Sequence, residues 1–405
     1  MPRIRAALLI VLLLATAAHA KQRAAAAPGG TQLLAYPLQS VTLIDDRSDL
    51  FALDHVVGRA TIVALGDSTH GTREFYTIKL RILDYLVRER GFDVLSLEAP
   101  FPIVERINVY AQGGPGDPRA LLRELNARLF YLFWDVEELL TVIEWVRDYN
   151  LHRGERAPIE IAGADVYDER GGVAGVLDYL RRTDPAAATA AERDYACVLA
   201  GERTVGCART ARGVRESLLA MPHETREYAD ALQYASVVQQ YFENPRFEPR
   251  ERAMAANLLW IREHRGRARK VVHWGHQEHV GKLRSSATRG ETMGSILSAR
   301  VGRDYVAIGS LTGSGSFLQW RELSTGRFNL DPHTYPDPAP NTYEWHLRVR
   351  GLSAMLVPLR GRILPGTSFR TAGTTSGWIE VAQPLSQKLD AVIYIDRTNR
   401  TTPLD

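Results

Sequence analysis

Residues 60–100 read "ATIVALGDSTHGTREFYTIKLRILDYLVRERGFDVLSLEAP", and the fold follows from how that stretch is parsed. Its opening run, residues 60–65, is apolar and β-branched, the composition of a buried strand. "GDSTHG" follows as a turn. From Thr72 to Arg90 the apolar residues Phe75, Ile78, Ile82, Tyr85 and Leu86 recur at helical spacing. Gly91 stops that helix, and residues 92–100 form a second buried strand ending at Glu98. Strand, helix and strand in such quick succession make a βαβ unit, which predicts two parallel strands side by side.

The same alternation continues outward. "LLTVIEWVRDYN" (139–150) reads as a helix and "IEIAGAD" (159–165) as a strand. Residues 171–266 are almost wholly helical in pattern. "ARKVVHWGH" (268–276) is a strand, "TMGSILSARVG" (292–302) a short helix and "DYVAIGSL" (304–311) another strand. Residues 312–405 are richer in Gly and Pro, with short β-like runs. The reading is an α/β protein with a mostly parallel central sheet and flanking helices. Residues 36–170 and 267–311 form the two parts of its core, 171–266 a helical insertion, and 312–405 a smaller α+β portion.

Ligands of parallel α/β sheets bind beyond the carboxyl ends of the strands. Those ends carry Asp67 and His70, then Glu98, then Asp165, then His276 followed by His279. Histidine titrates near pH 6.5, so a neutral imidazole at position 70 can take a proton, with a carboxylate to orient it. Glu98, read as lying on the adjacent strand, is the expected orienting group. Ser68 and Thr69 fit a helix-capping role. Glu74, one helical turn after His70, reaches the same rim or answers the helix dipole. The serine alternative fails on spacing, because a nucleophile elbow needs G-x-S-x-G and "GDSTHG" has an extra residue. A GDS-type hydrolase also needs a D-x-x-H pair, which residues 300–405 do not contain. Asp67, His70, Glu98, His276 and His279 could instead ligate a divalent metal, although "HQEH" lacks the H-E-x-x-H spacing.

Residues 1–20, "MPRIRAALLIVLLLATAAHA", have the build of a secretory signal. Arg3 and Arg5 precede an apolar core too short to span a bilayer, and "AHA" marks cleavage after Ala20. Residues 21–35 then form a flexible start, and the expectation is a periplasmic or secreted protein without stable membrane insertion. Cys197 and Cys207 suggest a disulfide-closed loop in that setting; free thiols or a two-cysteine zinc site are the alternatives. The net charge of +3 comes from well-mixed signs, which points away from nucleic-acid binding.

Several blocks together resemble the erythromycin esterase family, including its succinoglycan-biosynthesis-like members. "GDSTHGTREFYTIKLRILDYLVRERGFDVLSLEAP" is similar to its opening G-E-x-x-H-G motif, helix and Glu-ended strand. "RERAMAANLLWI" (250–261), "KVVHWGHQEHVGK" (270–282) and "TMGSILSARVGRDYVAIG" (292–309) resemble three later blocks, and "LDAVIYIDRTNRTTPL" (389–404) the closing strand. The resemblance implies a hydrolase of a small-molecule carboxylic ester or lactone, with water activated by histidine and no cofactor. By motif it makes His70 the base and Glu98 its carboxylate, with His276 and Asp67 lining the pocket. Arg250 and Asn257 would share one helix face towards it, Arg250 stabilising an oxyanion or holding a substrate anion. His279 and Asp165 fall in the same substrate-binding group, and Glu74 with the catalytic one. Asp67 stands where the family has glutamate, and Gln277 where it has asparagine, so specificity does not carry over. A macrolide, with the resistance that its hydrolysis gives, is one substrate implied; another ester or cell-envelope material is the other. The competing expectation is a metal- or haem-binding protein, or a metal-dependent hydrolase, of related fold.

Overall fold

The structure, a computed structural model, describes residues 34–129, 132–221, 225–243, 247–322, 328–372 and 378–404. The expected signal segment, and all but the last two residues of the flexible start, lie outside the described residues. The strands are β1 (Tyr36–Pro37), β2 (Ile62–Asp67), β3 (Val94–Pro100), β4 (Glu160–Asp165), β5 (Val271–His276), β6 (Tyr305–Glu322), β7 (Phe328–Tyr335), β8 (Ala354–Pro358), β9 (Phe369–Ala372), β10 (Trp378–Val381) and β11 (Ala391–Thr398). Nine of them form one sheet in the order β1-β8-β11-β6-β2-β5-β3-β4, with β7 paired to β6. The centre is parallel: β11, β6, β2, β5, β3 and β4 all run the same way. β1, β7 and β8 are antiparallel to their partners.

Both faces of the parallel centre are covered, which is why its strands are mostly apolar, with Ser96 and His273 buried in mid-strand as a hydrogen-bonding pair at 3.1 Å. Along β2, Val63 and Leu65 join a core with Ile78, Ile82 and Leu86 of the Arg73–Arg90 helix and Leu139 and Ile143 of the Glu137–His152 helix. Ile62 and Ala64 face the other way, onto Met254 and Leu258 of the Phe247–His264 helix and Met293 and Leu297 of the Met293–Val301 helix. Among the described residues no helix is long and apolar enough to cross a membrane.

Three features depart from the reading of the sequence. β2 and β3 are not neighbours, because β5 lies between them. A βαβ connection fixes direction but not adjacency, and β5 arrives from far along the chain. The helical stretch divides in two. Helices Glu169–Thr183, Pro185–Asp194, Val205–Leu219 and Arg226–Glu243 build a core of their own around Val176, Leu180, Val214 and Ala235, while Phe247–His264 packs on the sheet. The Cys197–Cys207 disulfide closes a loop inside that separate core, with Cα atoms 5.8 Å apart. Residues after 311 complete the main sheet through β8 and β11, and β6 continues to Glu322 as a hairpin with β7. Its glycines mimic a loop. In fact Gly315 is small because a Cβ there would lie 2.1 Å from the Thr398 carbonyl oxygen of the neighbouring strand.

Candidate active site

Asp67, the last residue of β2, is in register with His276 at the end of β5. The loop after Asp67 is fixed at Gly71, whose carbonyl accepts from the backbone N–H groups of Leu318 and Thr401, both at 3.0 Å. That loop brings His70 Nδ1 to 3.0 Å from Asp67 Oδ1. The Asp67 Oδ2 atom is held by Lys79 Nζ from the Arg73–Arg90 helix. Asp67 and Lys79 are both buried, whereas the His70 side chain is 18% exposed. Burial alone would raise the Asp67 pKa, but the charges of Lys79 and then His70 outweigh it and hold the carboxyl below its ordinary value. Asp67 Oδ1 has no aligned hydrogen-bond partner, so the ionised carboxylate acts on the imidazole through its charge at 3.0 Å, which favours the proton on Nδ1 and leaves the Nε2 lone pair to accept one. Phe133 and His276 wall the ring at centroid distances of 5.2 Å each, and Trp134 at 6.1 Å.

Glu98 serves a different group of partners. Its Oε1 receives Arg250 Nη2 at 2.9 Å and lies 3.2 Å from His279 Nε2. Its Oε2 accepts the His276 backbone N–H at 2.8 Å. Gly275 makes room for this contact, since a Cβ there would sit 2.9 Å from Glu98 Oε2. Arg250 also donates through Nε to Asp165 at 2.9 Å, and Glu251 grips His279 Nδ1. Burial opposes the charge of His279, but Glu251 and Glu98 raise its pKa to about 9. Burial likewise opposes the charge of Glu98, yet His279 and Arg250 hold it well below the carboxylate range. The result is an ionic chain, Asp165–Arg250–Glu98–His279–Glu251, along the β3–β4 side of the rim.

His276 stands between the two groups. Its Nδ1 accepts the Glu278 backbone N–H at 3.2 Å, and its Nε2 lies 3.2 Å from Thr371 Oγ1 of β9. Burial, then the proximity of His70, lower its pKa to about 4.

The structure brings Asp67, His70, Glu98, Asp165, Arg250, His276 and His279 to one rim, but it changes their pairings. The carboxylate on His70 is Asp67, not Glu98, because the intervening β5 moves Glu98 one strand further away. Glu74 is not at the site. Its Oε1 takes the Asn399 side chain at 2.9 Å and Arg73, and its Oε2 the Asn399 backbone N–H at 2.6 Å, so it ties down the C-terminal segment. Asn257 does not reach the pocket either. It is buried between Gln233, Gln240 and the Ala164 carbonyl. Arg250 is engaged with two carboxylates and so has its charge compensated, which removes it from the role of anion holder.

The donor set fits a metal poorly. Asp67 already carries Lys79 and Glu98 carries Arg250 and His279, cations that occupy the electrostatic role of a metal. Among the described residues no group of three His, Cys, Asp or Glu side chains is placed to hold one. Sequence reasoning missed Lys79, Glu251, Trp134 and Thr371. Lys79 left a signal, a charge on the helix face that also bears Phe75, Ile82 and Leu86. Trp134 and Thr371 left none, because neither stands in a motif.

Known proteins are similar over most of this length. The family profile described as erythromycin esterase matches residues 87–398. YbfO of Bacillus subtilis (strain 168), described as a provisional hydrolase, is 24% identical over 397 residues that cover 86% of each chain. Erythromycin esterase type II of Escherichia coli is 27% identical over 122 residues, 30% of this chain and 27% of that one. A Bacillus cereus crystal structure superposes with a TM-score of 0.80 at 22% identity, covering 92% of this chain and 97% of that one. A mutant of erythromycin esterase EreC, in its open conformation, superposes at 0.71 with 16% identity, over 89% and 96% of the two chains. These superpositions establish a shared fold.

Proposed function

The chain belongs to the erythromycin esterase family and is a hydrolase acting on ester bonds, and from that premise we propose that it cleaves its ester with water activated by His70. The observation that carries this reading is the Asp67–His70 pair, with Nδ1 at 3.0 Å from a buried, ionised carboxylate and the ring open to the rim. Lys79 keeps Asp67 charged, Asp67 keeps the proton on Nδ1, and Nε2 takes a proton from water as its oxygen bonds to the ester carbonyl carbon. The tetrahedral oxyanion then collapses. The bond to the leaving oxygen breaks, and the imidazolium returns the proton to the departing alkoxide, giving an acid and an alcohol. Glu98, Arg250, Asp165, His279 and Glu251 act as the rigid flank that fixes the His276 backbone.

The substrate in this reading is a small-molecule ester or lactone that meets an aromatic wall of Phe133 and Trp134. Export to the periplasm or beyond, with cleavage near Ala20, is part of the proposal and is supported by the Cys197–Cys207 disulfide, a bond that persists in oxidising compartments. The test is a panel of chromogenic esters and lactones, macrolides included, with His70→Ala as control. We expect turnover of at least one substrate by the wild type and a loss in His70→Ala of about 10²- to 10⁴-fold. Full activity in a folded His70→Ala protein would refute the assignment.

A further inference from the structure

β9 passes over the loop that carries His70. The Ala372 backbone N–H donates to the Ser68 carbonyl at 2.8 Å, and the Thr371 hydroxyl donates to the same oxygen at 3.0 Å. The strand is itself fixed by Arg370, a buried side chain that donates to the Thr312 and Gly313 carbonyls at 2.9 and 2.8 Å and to the Pro336 carbonyl at 2.6 Å. Thr371 therefore reaches His276 from a rigid support.

The hydrogen-bond directions around His276 then follow. Glu278 N–H can only donate, so Nδ1 presents its lone pair and the ring proton sits on Nε2. Since the Thr371 hydroxyl proton is committed to Ser68, its oxygen is free to accept that Nε2–H at 3.2 Å. We propose that Thr371 is a positioning residue, whose hydroxyl pins His276 as the uncharged Nε2–H tautomer against His70.

The consequence concerns the base, and it rests on the reading of His70 given above. His276 is 5.2 Å from the ring that must become cationic during turnover. A second cation there would oppose that step, and His276 could become one if its ring turned and freed Nδ1 from Glu278. The charged and titratable groups facing it are His70 and Asp67 from the β2 end, Glu98 from β3, and Glu278 and His279 from its own short helix. Burial together with His70 already lowers its pKa to about 4, and Thr371 holds the ring in the orientation in which Glu278 N–H occupies Nδ1.

The test compares Thr371→Val, which keeps the shape and removes the hydroxyl, with Thr371→Ser, which keeps the hydroxyl. Ring ¹⁵N NMR of the full protein, with the His276 signal assigned by its loss in His276→Gln, is expected to show the Nε2–H tautomer unchanged from pH 8 to 5.5 in the wild type and in Thr371→Ser. In Thr371→Val the ring should lose its fixed orientation and show the Nδ1–H tautomer as well. With the best chromogenic ester, kcat of Thr371→Val should fall about tenfold, the loss of one buried hydrogen bond. A wild-type His276 that titrates between pH 8 and 5.5, or an Nδ1–H tautomer, overturns the proposal without any variant. So does a Thr371→Val protein with wild-type spectrum and kcat. If the tautomer results hold but His70→Ala stays active, the error lies in the choice of base and not in the role of Thr371.

Discussion

The decisive perturbation separates the two carboxylates that sequence alone cannot tell apart. Glu98→Gln removes the charge that pairs with Arg250 at 2.9 Å and His279 at 3.2 Å, in a side chain only 7% exposed. Breaking a buried pair costs about 3–5 kcal/mol. Arg250 retains Asp165 and His279 retains Glu251, so the lower end, about 3 kcal/mol, applies. Unfolding entropy is about 2.1 cal/mol/K per residue, or about 0.7 kcal/mol/K over the roughly 350 described residues, so Tm should fall by about 4 °C. The rate should fall by less than about tenfold, because no hydrogen bond to His70 is lost. Asp67→Asn should instead lose about 10²- to 10⁴-fold in kcat. It also strands the buried Lys79, so the cleaner form is Asp67→Asn with Lys79→Met, in which neither charge is left alone and stability recovers while the rate does not. Calorimetry and ester turnover on the three proteins decide the matter. A Glu98→Gln protein with wild-type Tm and no turnover, beside an active Asp67→Asn/Lys79→Met protein, would refute Asp67 as the orienting group.

Stability should also depend on pH through His279. Its folded pKa of about 9 exceeds the ordinary value of 6.5, so its contribution is complete below about pH 6.5 and is lost as pH rises through 9. Tm should therefore fall between pH 6.5 and 9.5, and His279→Gln should flatten that slope in a calorimetric series. Asp67→Glu should lower kcat by about tenfold or more, because the added methylene pushes the carboxylate out of its place between Lys79 and His70, and displacements near 1 Å cost up to about 10²-fold. Glu74→Ala should leave kcat unchanged and cost about 2 kcal/mol, measured by denaturant titration, by freeing Asn399. Replacing Cys197 and Cys207 by Ala should destabilise the separate helical core by about 2–3 kcal/mol, as expected for a loop of 10 residues, without changing turnover.

What could be read in advance, and what could not, divides along a physical line. Parallel strands buried on both faces must be mostly apolar and must end where polarity returns, so β2 to β6 and the residues at their ends were visible in the chain. Which strand lies beside which is set by contacts between segments far apart in sequence. β5 enters between β2 and β3 from about 170 residues beyond β3, and nothing local in "GFDVLSLEAP" records its arrival. That single insertion explains why Glu98 was paired with the wrong histidine. The C-terminal contribution was hidden for a related reason. The glycines of β6 accommodate neighbouring backbone, a requirement indistinguishable in sequence from that of a loop, so the continuation of β6 beyond residue 311, which holds Arg370 beside Thr371, had no pattern to announce it.

Asp67 gains most from the structure. In the sequence it was a departure from the glutamate of the resembling family, and a reason why specificity does not carry over. In the fold its short side chain is met from the other side by Lys79, a lysine placed where the helix pattern calls for an apolar residue. The two anomalies answer each other, since a buried carboxylate stays ionised only beside a cation, and a buried lysine stays charged only beside an anion. A charged residue on the buried face of a helix is thus a usable signal for its partner. Searching that face for Lys or Arg finds Lys79 as a buried charge in need of an anion, and the fold identifies that anion as Asp67.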